Sequence, residues 1–249
     1  MQNHRTVIVT GAGGGIGEAT ATLLAARDWD VVVADLDADR AGAVANAILE
    51  RGDRAVPHVV DMSDPASVAQ LVDFAAARSA PLVGLVNNAG IAIAKPLVDY
   101  SVAEWDLQLS VNLRGAFLAI QAIVPHFRRT GGGRIVNIAS TAAFVSSSTP
   151  EAAYDVSKAG IRQLTTSAAV ELAPLGIGVN AVAPGTIATP LTTAVLDDPE
   201  KLARAGAKIP AGRLGDPRDI AGAVAFLLGE DAAYVHGHTL VVDGGWLAL

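Results

Sequence analysis

Short apolar runs alternate along the chain with longer segments in which apolar residues recur at helical spacing. The apolar runs span residues 6–10, 30–34, 55–60, 82–86, 134–138, 178–182 and 239–242. The segments of helical spacing span residues 15–27, 38–51, 65–77, 102–128, 153–172 and 217–228. Continuous apolar strands separated by helices are typical of parallel βαβ units, in which helices cover both faces of the sheet. The pattern therefore predicts an α/β fold with a single doubly wound parallel β-sheet.

The same pattern predicts one domain over residues 1–249. No linker rich in Pro, Gly or Ser and no change of composition divides the chain. Residues 186–215 interrupt the alternation, because Pro190, Pro199 and Pro210 break the rhythm of strands and helices there. We predict that this segment is an insertion that serves as a substrate flap.

Composition narrows the choice of partner and compartment. With 51% hydrophobic and 4% aromatic residues, the core must rely on Ala, Val, Leu and Ile, which suits buried parallel strands. The net charge of −7 and pI near 5.1 disfavour nucleic acid or an anionic membrane as a partner. The absence of cysteine excludes thiolate metal sites, and the scattered histidines predict no metal site. No predicted segment is long enough for a signal peptide or a membrane span, so we expect a soluble, cytoplasmic protein.

A glycine-rich turn joins the first strand to the first helix. Residues 10–17 read Thr-Gly-Ala-Gly-Gly-Gly-Ile-Gly. Glycines permit a tight turn and let a pyrophosphate approach the N–H groups at the positive end of the helix. Such a turn can also be a plain connector, but the strand before it, the helix after it and an acidic residue downstream favour a nucleotide site.

That acidic residue is Asp35, which ends the second strand 18 positions after Gly17. A carboxylate there can accept both ribose hydroxyls of NAD and would repel the 2′-phosphate of NADP, so NAD is favoured over NADP. The glycine loop holds no Arg or Lys, and Gly14 stands where a basic residue could have helped to bind a phosphate. Arg40 is the nearest later cation, and we expect it on a helix surface. The alternative role for Asp35 is to cap the second helix, with Asp37 as its competitor.

Asp61 ends the third strand, where a side chain could contact an adenine edge. An Asp at this point can equally cap the next helix, and the sequence leaves both roles open.

Tyr154 and Lys158 are four residues apart in a predicted helix, so both side chains can address one small volume. An ammonium beside a tyrosine favours the phenolate and is expected to lower the tyrosine pKa from about 10. Such a tyrosine can pass protons to and from an alcohol or a carbonyl. By itself the pair could also be a packed ring beside a solvated lysine.

Several ordered motifs together resemble the short-chain dehydrogenase/reductase family over essentially the whole chain. The motifs are Thr-Gly-x-x-x-Gly-x-Gly at 10–17, Asn-Asn-Ala-Gly at 87–90, Asn112, Ile-Ala-Ser at 138–140, Tyr154 with Lys158, Asn-Ala-Val-Ala-Pro-Gly at 180–185, and Asp-Gly-Gly at 243–245. The resemblance implies a Rossmann fold and an NAD-dependent oxidoreductase that interconverts secondary alcohols and ketones.

The resemblance also implies a role for each catalytic residue. Tyr154 would be the general acid/base, and Lys158 would lower its pKa and bind the nicotinamide ribose. Ser140 would donate a hydrogen bond to the substrate oxygen. Asn112 would hold a water that links Lys158 to solvent. Ser140 lies 14 residues before Tyr154 whereas Thr141 has the more usual spacing of 13, and we assign Ser140 with one extra loop residue.

The residues expected to bind the cofactor come from the same motifs and the ends of the neighbouring strands. They are Gly11, Gly14, Gly15, Ile16, Gly17, Asp35, Leu36, Asp61, Met62, Asn88, Ala89, Gly90, Tyr154, Lys158, Pro184, Gly185, Ile187 and Thr189.

The substrate loops show no cluster of Arg or Lys, which favours a neutral, fairly apolar alcohol or ketone. One alternative is an NADPH-dependent 3-oxoacyl-[acyl-carrier-protein] reductase, for which Arg128 and Arg129 could serve part of the docking. Another is a non-catalytic NAD(H)-binding regulator on the same fold. The long apolar helices at 102–128 and 153–172 suggest subunit interfaces, and the resemblance implies a homotetramer.

Overall fold

The computed structural model describes residues 4–146, 149–190, 192 and 198–249. Within these residues, seven parallel strands form one sheet in the order β3-β2-β1-β4-β5-β6-β7. The strands are β1 Arg5–Thr10, β2 Trp29–Asp35, β3 Arg54–Val59, β4 Leu82–Asn87, β5 Gly133–Ile138, β6 Ile177–Pro184 and β7 Thr239–Val242. The predicted doubly wound Rossmann sheet is confirmed, and the order reverses between β1 and β4.

The helices connect these strands and cover both faces of the sheet. They are α1 Gly15–Ala25, α2 Ala38–Leu49, α3 Pro65–Ala76, α4 Val102–Leu109, α5 Gly115–Thr130, α6 Ala152–Leu172, α7 Pro199–Ala207 and α8 Pro217–Leu228. Most boundaries lie within two residues of those that the apolar periodicity predicts.

Alternating residues of the central strands face opposite helical layers. Val7 and Val9 of β1 belong to a buried cluster that includes residues of α1, α2 and α8. Ile8, between them, belongs to a second cluster with α3, α5 and α6, which includes Leu71 and Phe127. Because both faces are buried, the strands contain continuous apolar runs and lack the alternation of a half-exposed sheet.

The predicted helix at 102–128 differs most from its expected form. It consists of α4 and α5 joined by a π-helical turn at Ser110–Arg114, and it ends at Thr130 before Gly131, whose φ is 85°. A π turn inserts one residue into the helical repeat and often occurs at functional sites. Here the turn carries the predicted catalytic residue Asn112.

The continuous helix Val102–Thr130 corrects the expectation that no segment could span a membrane. It is 29 residues long and contains an 18-residue window of mean hydropathy 1.4, so its length and composition would suffice. Ala119, Ile123 and Phe127 on its inner face are fully buried in the second cluster. A core helix of a globular domain meets the same criterion.

The segment at 186–215 is closed at its base by backbone hydrogen bonds. Ile187 and Gly215 form a parallel bridge, the Ala188 N–H donates to Gly215 O (2.8 Å), and the Gly215 N–H donates to Thr186 O (3.0 Å). Helix α7 lies between these ends. Residues 191 and 193–197 of the segment lie outside the described residues, and its use as a substrate flap stays a prediction.

Candidate active site

A cleft of about 490 Å³ opens at the carboxyl ends of the strands, where the strand order reverses between β1 and β4. This is the position at which open α/β sheets bind ligands. The predicted site residues that line it are Gly11, Gly14, Gly15, Ile16, Asp35, Leu36, Asp61, Met62, Asn88, Ala89, Gly90, Ser140, Tyr154, Lys158, Pro184, Gly185, Ile187 and Thr189. Gly17 and Asn112 lie behind its wall.

The glycine loop is packed too tightly for larger residues at two positions. Gly11 has φ +62°, and a Cβ on it would lie 2.8 Å from the Cα of Ala89. A Cβ on Gly17 would lie 2.2 Å from the carbonyl oxygen of Gly11, closer than any real contact. Gly17 is buried and allows α1 to approach the loop, and its expected part in cofactor binding stays a prediction.

Side-chain hydrogen bonds tie the loop after β1 to the loop after β4. The Asn88 Nδ2 donates to the carbonyl oxygens of Thr10 (2.9 Å) and Gly11 (3.0 Å). In return the Thr10 hydroxyl accepts from the backbone N–H groups of Asn88 (3.0 Å) and Ala89 (3.1 Å). These bonds hold the two sides of the cleft at a set distance.

Asp35 accepts two backbone hydrogen bonds at the end of β2. Its Oδ2 accepts from the Gly13 N–H (2.8 Å) and its Oδ1 from the Asp37 N–H (3.1 Å). The N-cap of α2 is Asp37, whose Oδ1 accepts from the N–H groups of Asp39 and Arg40. Of the two roles open for Asp35, helix capping is therefore wrong, and its carboxylate faces the cleft.

Asp61 likewise does not cap the helix that follows it. Its Oδ1 accepts from the backbone N–H (2.8 Å) and the hydroxyl (2.7 Å) of Ser63. The N-cap of α3 is Asp64, which accepts from the N–H groups of Ala66 and Ser67. Asp61 is free of capping and lines the cleft.

Arg40 lies on the exposed surface of α2, as expected, and it also lines the cleft. Its Nε donates to the carbonyl oxygen of Gly13 (3.2 Å), and a Cβ on Gly14 would lie 2.6 Å from its Nη2. The guanidinium therefore lies across the glycine loop. The sequence offered no signal for this, because Arg40 is separated from Gly14 by a strand and meets it only through the parallel pairing of β1 and β2.

Tyr154, Lys158 and Ser140 converge on one end of the cleft. The Tyr154 side chain is hydrogen-bonded to that of Ser140. The Lys158 Nζ lies 5.6 Å from the centroid of the Tyr154 ring and donates to the carbonyl oxygen of Ile138 (2.8 Å). The Ser140 hydroxyl also accepts from the Ala142 N–H (3.1 Å), which orients it.

Burial dominates the electrostatics of this pair. It raises the pKa of Tyr154 to about 12 and lowers the pKa of Lys158 to about 8, because the charged form of each group is poorly solvated. The hydrogen bond from Ser140 acts against the rise at Tyr154 but is the smaller effect. The expectation that the Tyr154 pKa lies below its ordinary value is therefore wrong.

The two candidates for the catalytic hydroxyl are separated by local backbone geometry. Ser140 caps a short 3₁₀ turn at Thr141–Ala143, and Ser140 lines the cleft. Thr141 belongs to the turn itself and is not among the described residues of the cleft wall. The placement agrees with the assignment of Ser140, whose role stays a prediction.

Asn112 braces the cleft from behind. Its Oδ1 accepts from the Ile91 N–H (2.8 Å), and its Nδ2 donates to Ile91 O (2.9 Å) and to the Ser157 hydroxyl (3.0 Å). A Cβ on Gly90 would lie 3.3 Å from the Asn112 Oδ1 and 3.6 Å from the Lys158 Nζ. Asn112 is thus close to Lys158, and its expected role in holding a water stays a prediction.

Gln108 is a site residue that sequence reasoning missed. It is fully buried one helical turn before Asn112, and its Oε1 accepts from the Ile93 N–H (3.0 Å). The Tyr100 hydroxyl donates to the carbonyl oxygen of Ile93. Two amide side chains four residues apart therefore hold alternate residues of the loop after β4. The spacing of Gln108 and Asn112 was a signal, since such residues share a helix face.

The residues present fit a nicotinamide dinucleotide. The close contacts around Gly11 and Gly17 leave a loop whose backbone a pyrophosphate could approach. Asp35 presents a carboxylate at the second strand for a ribose diol. At the other end, a phenol, a hydroxyl and an ammonium surround one small volume, an arrangement that can move a proton to or from a substrate oxygen.

Comparison with known proteins agrees with this geometry. Residues 11–247 match the profile of the family described as Enoyl-(Acyl carrier protein) reductase. The cis-4-hydroxycyclohexanecarboxylate dehydrogenase of Sinomonas cyclohexanicum is 43% identical over 247 residues, which cover 99% of this chain and 98% of the relative. The chain belongs to the short-chain dehydrogenase/reductase family.

One further relative and one solved structure are also similar to this chain over nearly its whole length. The cyclopentanol dehydrogenase of Comamonas testosteroni is 37% identical over 99% of this chain and 98% of its own. A crystal structure described as an NAD(P)-dependent gluconate 5-dehydrogenase from Beutenbergia cavernae, with NADP bound at low occupancy, superposes with a TM-score of 0.93. That protein is 40% identical, and the match covers 98% of this chain and 97% of that one.

Proposed function

We propose that this protein is an NAD-dependent dehydrogenase that interconverts a secondary alcohol and a ketone. The observation that carries the proposal is the convergence of Tyr154, Ser140 and Lys158 at one end of a cleft whose other end is a glycine loop with Asp35. When bound, the nicotinamide supplies the acceptor or donor of hydride. The protein's own residues bind and orient the cofactor and the substrate, and they move the proton.

Tyr154 is the proton donor and acceptor in this proposal. With a pKa of about 12, its phenol is protonated at neutral pH, which is the form that donates to a ketone oxygen. Ser140 donates a hydrogen bond to the same oxygen and stabilises the charge that develops there. In the oxidative direction Tyr154 must first lose its proton, so oxidation is expected to accelerate as the pH rises.

Lys158 and Asn112 support the tyrosine. The Lys158 ammonium lies close enough to the ring to stabilise a phenolate as it forms, and it binds the nicotinamide ribose. Asn112 holds the backbone at Ile91 and positions a water that links Lys158 to solvent. We assign the cofactor contacts to the eighteen residues that the motifs predict, with Gly17 acting by packing.

The substrate we propose is a neutral cyclic secondary alcohol or its ketone. Lys95 is paired with Glu104 (2.6 Å) and Arg213 with Asp219 (2.7 Å), and neither cation is part of the described cleft wall. A substrate carboxylate would therefore find neither of these cations in the described cleft wall. Two of the relatives above are named for a cyclic alcohol. Cyclopentanol is neutral, whereas cis-4-hydroxycyclohexanecarboxylate carries a carboxylate.

An acyl-carrier-protein reductase is the main alternative, and the description of the family profile names such an enzyme. Docking an acidic carrier needs an exposed basic surface. Arg128 and Arg129 lie in the last turn of α5, but Arg129 is hydrogen-bonded to His126 (2.7 Å), and the protein carries a net charge of −7. These observations favour the small alcohol.

We propose NAD as the preferred cofactor, a homotetramer as the working form and the cytoplasm as the compartment. The NAD preference rests on Asp35, whereas the Beutenbergia cavernae relative holds NADP. The tetramer rests on exposed apolar side chains of α4 and α5, Leu107 and Phe117 among them.

The test measures initial rates of nicotinamide absorbance change with cyclopentanol, cyclohexanol and their ketones, using NAD(H) and NADP(H) in parallel. Tyr154→Phe should abolish turnover, and Ser140→Ala should lower it by about 100-fold or more, as loss of an oxyanion donor does. Thr141→Ala is the matched control and should retain most activity. Dinucleotide binding without turnover of any alcohol or ketone would instead support the regulator.

A further inference from the structure

We propose that Tyr100 is a positioning residue for the helix that carries Tyr154. From the turn before α4, its hydroxyl caps the first turn of α6 and thereby holds Tyr154 in place. The proposal rests on the proposed function, because it concerns how the proton donor of that reaction is positioned. Tyr100 is not part of the described cleft wall, so we assign it an action through α6 and no contact with the substrate.

The first observation is that α6 begins without a cap of its own. Its N-cap residue, Glu151, makes no side-chain hydrogen bond to the first turn of the helix. The first N–H groups of a helix have no partner within that helix, so they need one from elsewhere. Five other helices obtain it from the side chain of their own N-cap residue, namely Asp37, Asp64, Ser101, Asp198 and Asp216. The helix that carries Tyr154 therefore depends on a partner from another element.

The second observation is that Tyr100 supplies this partner. The backbone N–H of Ala153, in the first turn of α6, donates to the Tyr100 hydroxyl oxygen. Ala153 is fully buried and directly precedes Tyr154. Because a buried N–H group without a partner costs free energy, this hydrogen bond favours one position of the helix end. The residue next to Ala153 is thereby held at the cleft.

The third observation is that the Tyr100 hydroxyl is itself held in place. It donates to the carbonyl oxygen of Ile93 in the loop after β4. The backbone N–H of the same residue donates to the Oε1 of Gln108 (3.0 Å), whose side chain is fully buried. A phenol can donate and accept at once, so a single hydroxyl joins this loop to α6. Removal of that hydroxyl would leave the Ile93 carbonyl and the Ala153 N–H without these bonds.

The experiment compares the wild type with Tyr100→Phe, which keeps the ring and removes only the hydroxyl. Tyr234→Phe is the matched control, because Tyr234 is fully exposed. With cyclopentanol and NAD⁺, Tyr100→Phe should lower kcat by about 10-fold or more, since a small displacement of a reacting group is costly. The KM for the alcohol and the Kd for NAD⁺ should change by less than about 3-fold, because Tyr100 lies outside the described cleft wall. Tyr234→Phe should leave all three constants unchanged.

Amide hydrogen exchange measures the cap directly and needs no turnover. In Tyr100→Phe, exchange over residues 152–155 should accelerate by about 10-fold, as loss of one hydrogen bond allows. Exchange over residues 217–228, in α8, should stay unchanged. Gln108→Leu removes the other bond to Ile93 but keeps the cap, so it should not accelerate exchange over residues 152–155.

Unchanged exchange over residues 152–155 in Tyr100→Phe would overturn the inference, whatever the activity. Faster exchange with an unchanged kcat would also overturn it, because the cap would then serve stability alone. Equal acceleration in Tyr100→Phe and Gln108→Leu would contradict it as well, since the helix would then follow the loop. A wild type that turns over no alcohol or ketone would contradict the proposed function itself, whereas the exchange rates would still decide whether Tyr100 caps α6.

Discussion

Burial determines the charge states of Tyr154 and Lys158, the predicted catalytic pair, more strongly than their mutual attraction does. Tyr154 and Lys158 lie close together, yet their pKa values shift in the directions that hinder ionisation of each, to about 12 and about 8. The Lys158 ammonium faces the Ile138 carbonyl oxygen, and no carboxylate among the described residues pairs with it. The charge of Lys158 therefore lowers the stability of the folded protein. The proposed activity requires this charge.

Replacement of this lysine should make the protein more stable. Lys158→Met removes a buried charge, so the free energy of unfolding at pH 7 should rise by about 1–3 kcal/mol while turnover is lost. The folded-state pKa of about 8 lies below the unfolded value, so wild-type stability rises as the pH increases from about 8 to about 10.4. Urea denaturation at pH 7 and pH 10 measures both effects.

The stability gain of Lys158→Met should shrink at pH 10, because the wild-type lysine is then neutral in the folded state. Lys208→Met is the control, since Lys208 is exposed and should show no comparable gain. A gain that stays the same at both pH values would mean that packing, and not the charge, explains it.

At the scale of elements, helical glycines differ in whether the surrounding contacts leave room for a side chain. The space around Gly17 is filled by the carbonyl oxygen of Gly11, whereas Gly42, within α2, has no atom within 4 Å of a Cβ placed on it. Two helical glycines of the same layer therefore differ in role. Only the first depends on the approach of another element.

Gly17→Ala should destabilise the protein by about 1–3 kcal/mol, because α1 or the loop must move to admit the methyl group. It should also weaken NAD⁺ binding, since the loop backbone would shift. Gly42→Ala is the matched control and should stabilise by about 0.5–1 kcal/mol, as alanine in an open helix position does. Chemical denaturation and calorimetric titration of both variants check this. Equal stability of the two variants would contradict the packing assignment.

At the scale of the whole molecule, the outer side of the α4 and α5 helix is unusually apolar. A groove there is lined by Leu107, Leu113, Phe117 and Leu164, among others, and Leu107 and Phe117 are each nearly half exposed. Apolar surface of this kind marks association sites in soluble proteins. It also explains why this helix is apolar enough to satisfy a membrane criterion.

Phe117→Glu should therefore dissociate the assembly. Light scattering coupled to size exclusion should give a mass near four subunits for the wild type and a smaller mass for the variant, because a charge would be buried at the interface. Leu49→Glu, on α2 and outside the apolar helices at 102–128 and 153–172, should keep the wild-type mass. A monomeric wild type at working concentration would contradict the tetramer.

The sequence by itself determined the fold and most of the cleft. The period of the apolar pattern depends on local geometry, so the strands, the helices and the doubly wound parallel sheet could be predicted. The motifs named the lining residues because each follows a strand, and parallel strands end at one edge. Within the described residues, all but Gly17 and Asn112 of the predicted set line the cleft.

Only the tertiary structure decided what depends on distance between elements. Three such features arise where separate elements meet. They are the approach of Arg40 to Gly14, the close packing of Gly17 against Gly11, and the hydrogen bond of Gln108 to the loop after β4. The π turn at Asn112 has no local signature, because the same residues would also suit an α-helix. The pKa values of Tyr154 and Lys158 follow from burial, which a short motif does not contain. Spacing along the chain is local information, whereas burial and cross-element contact are properties of the packed molecule.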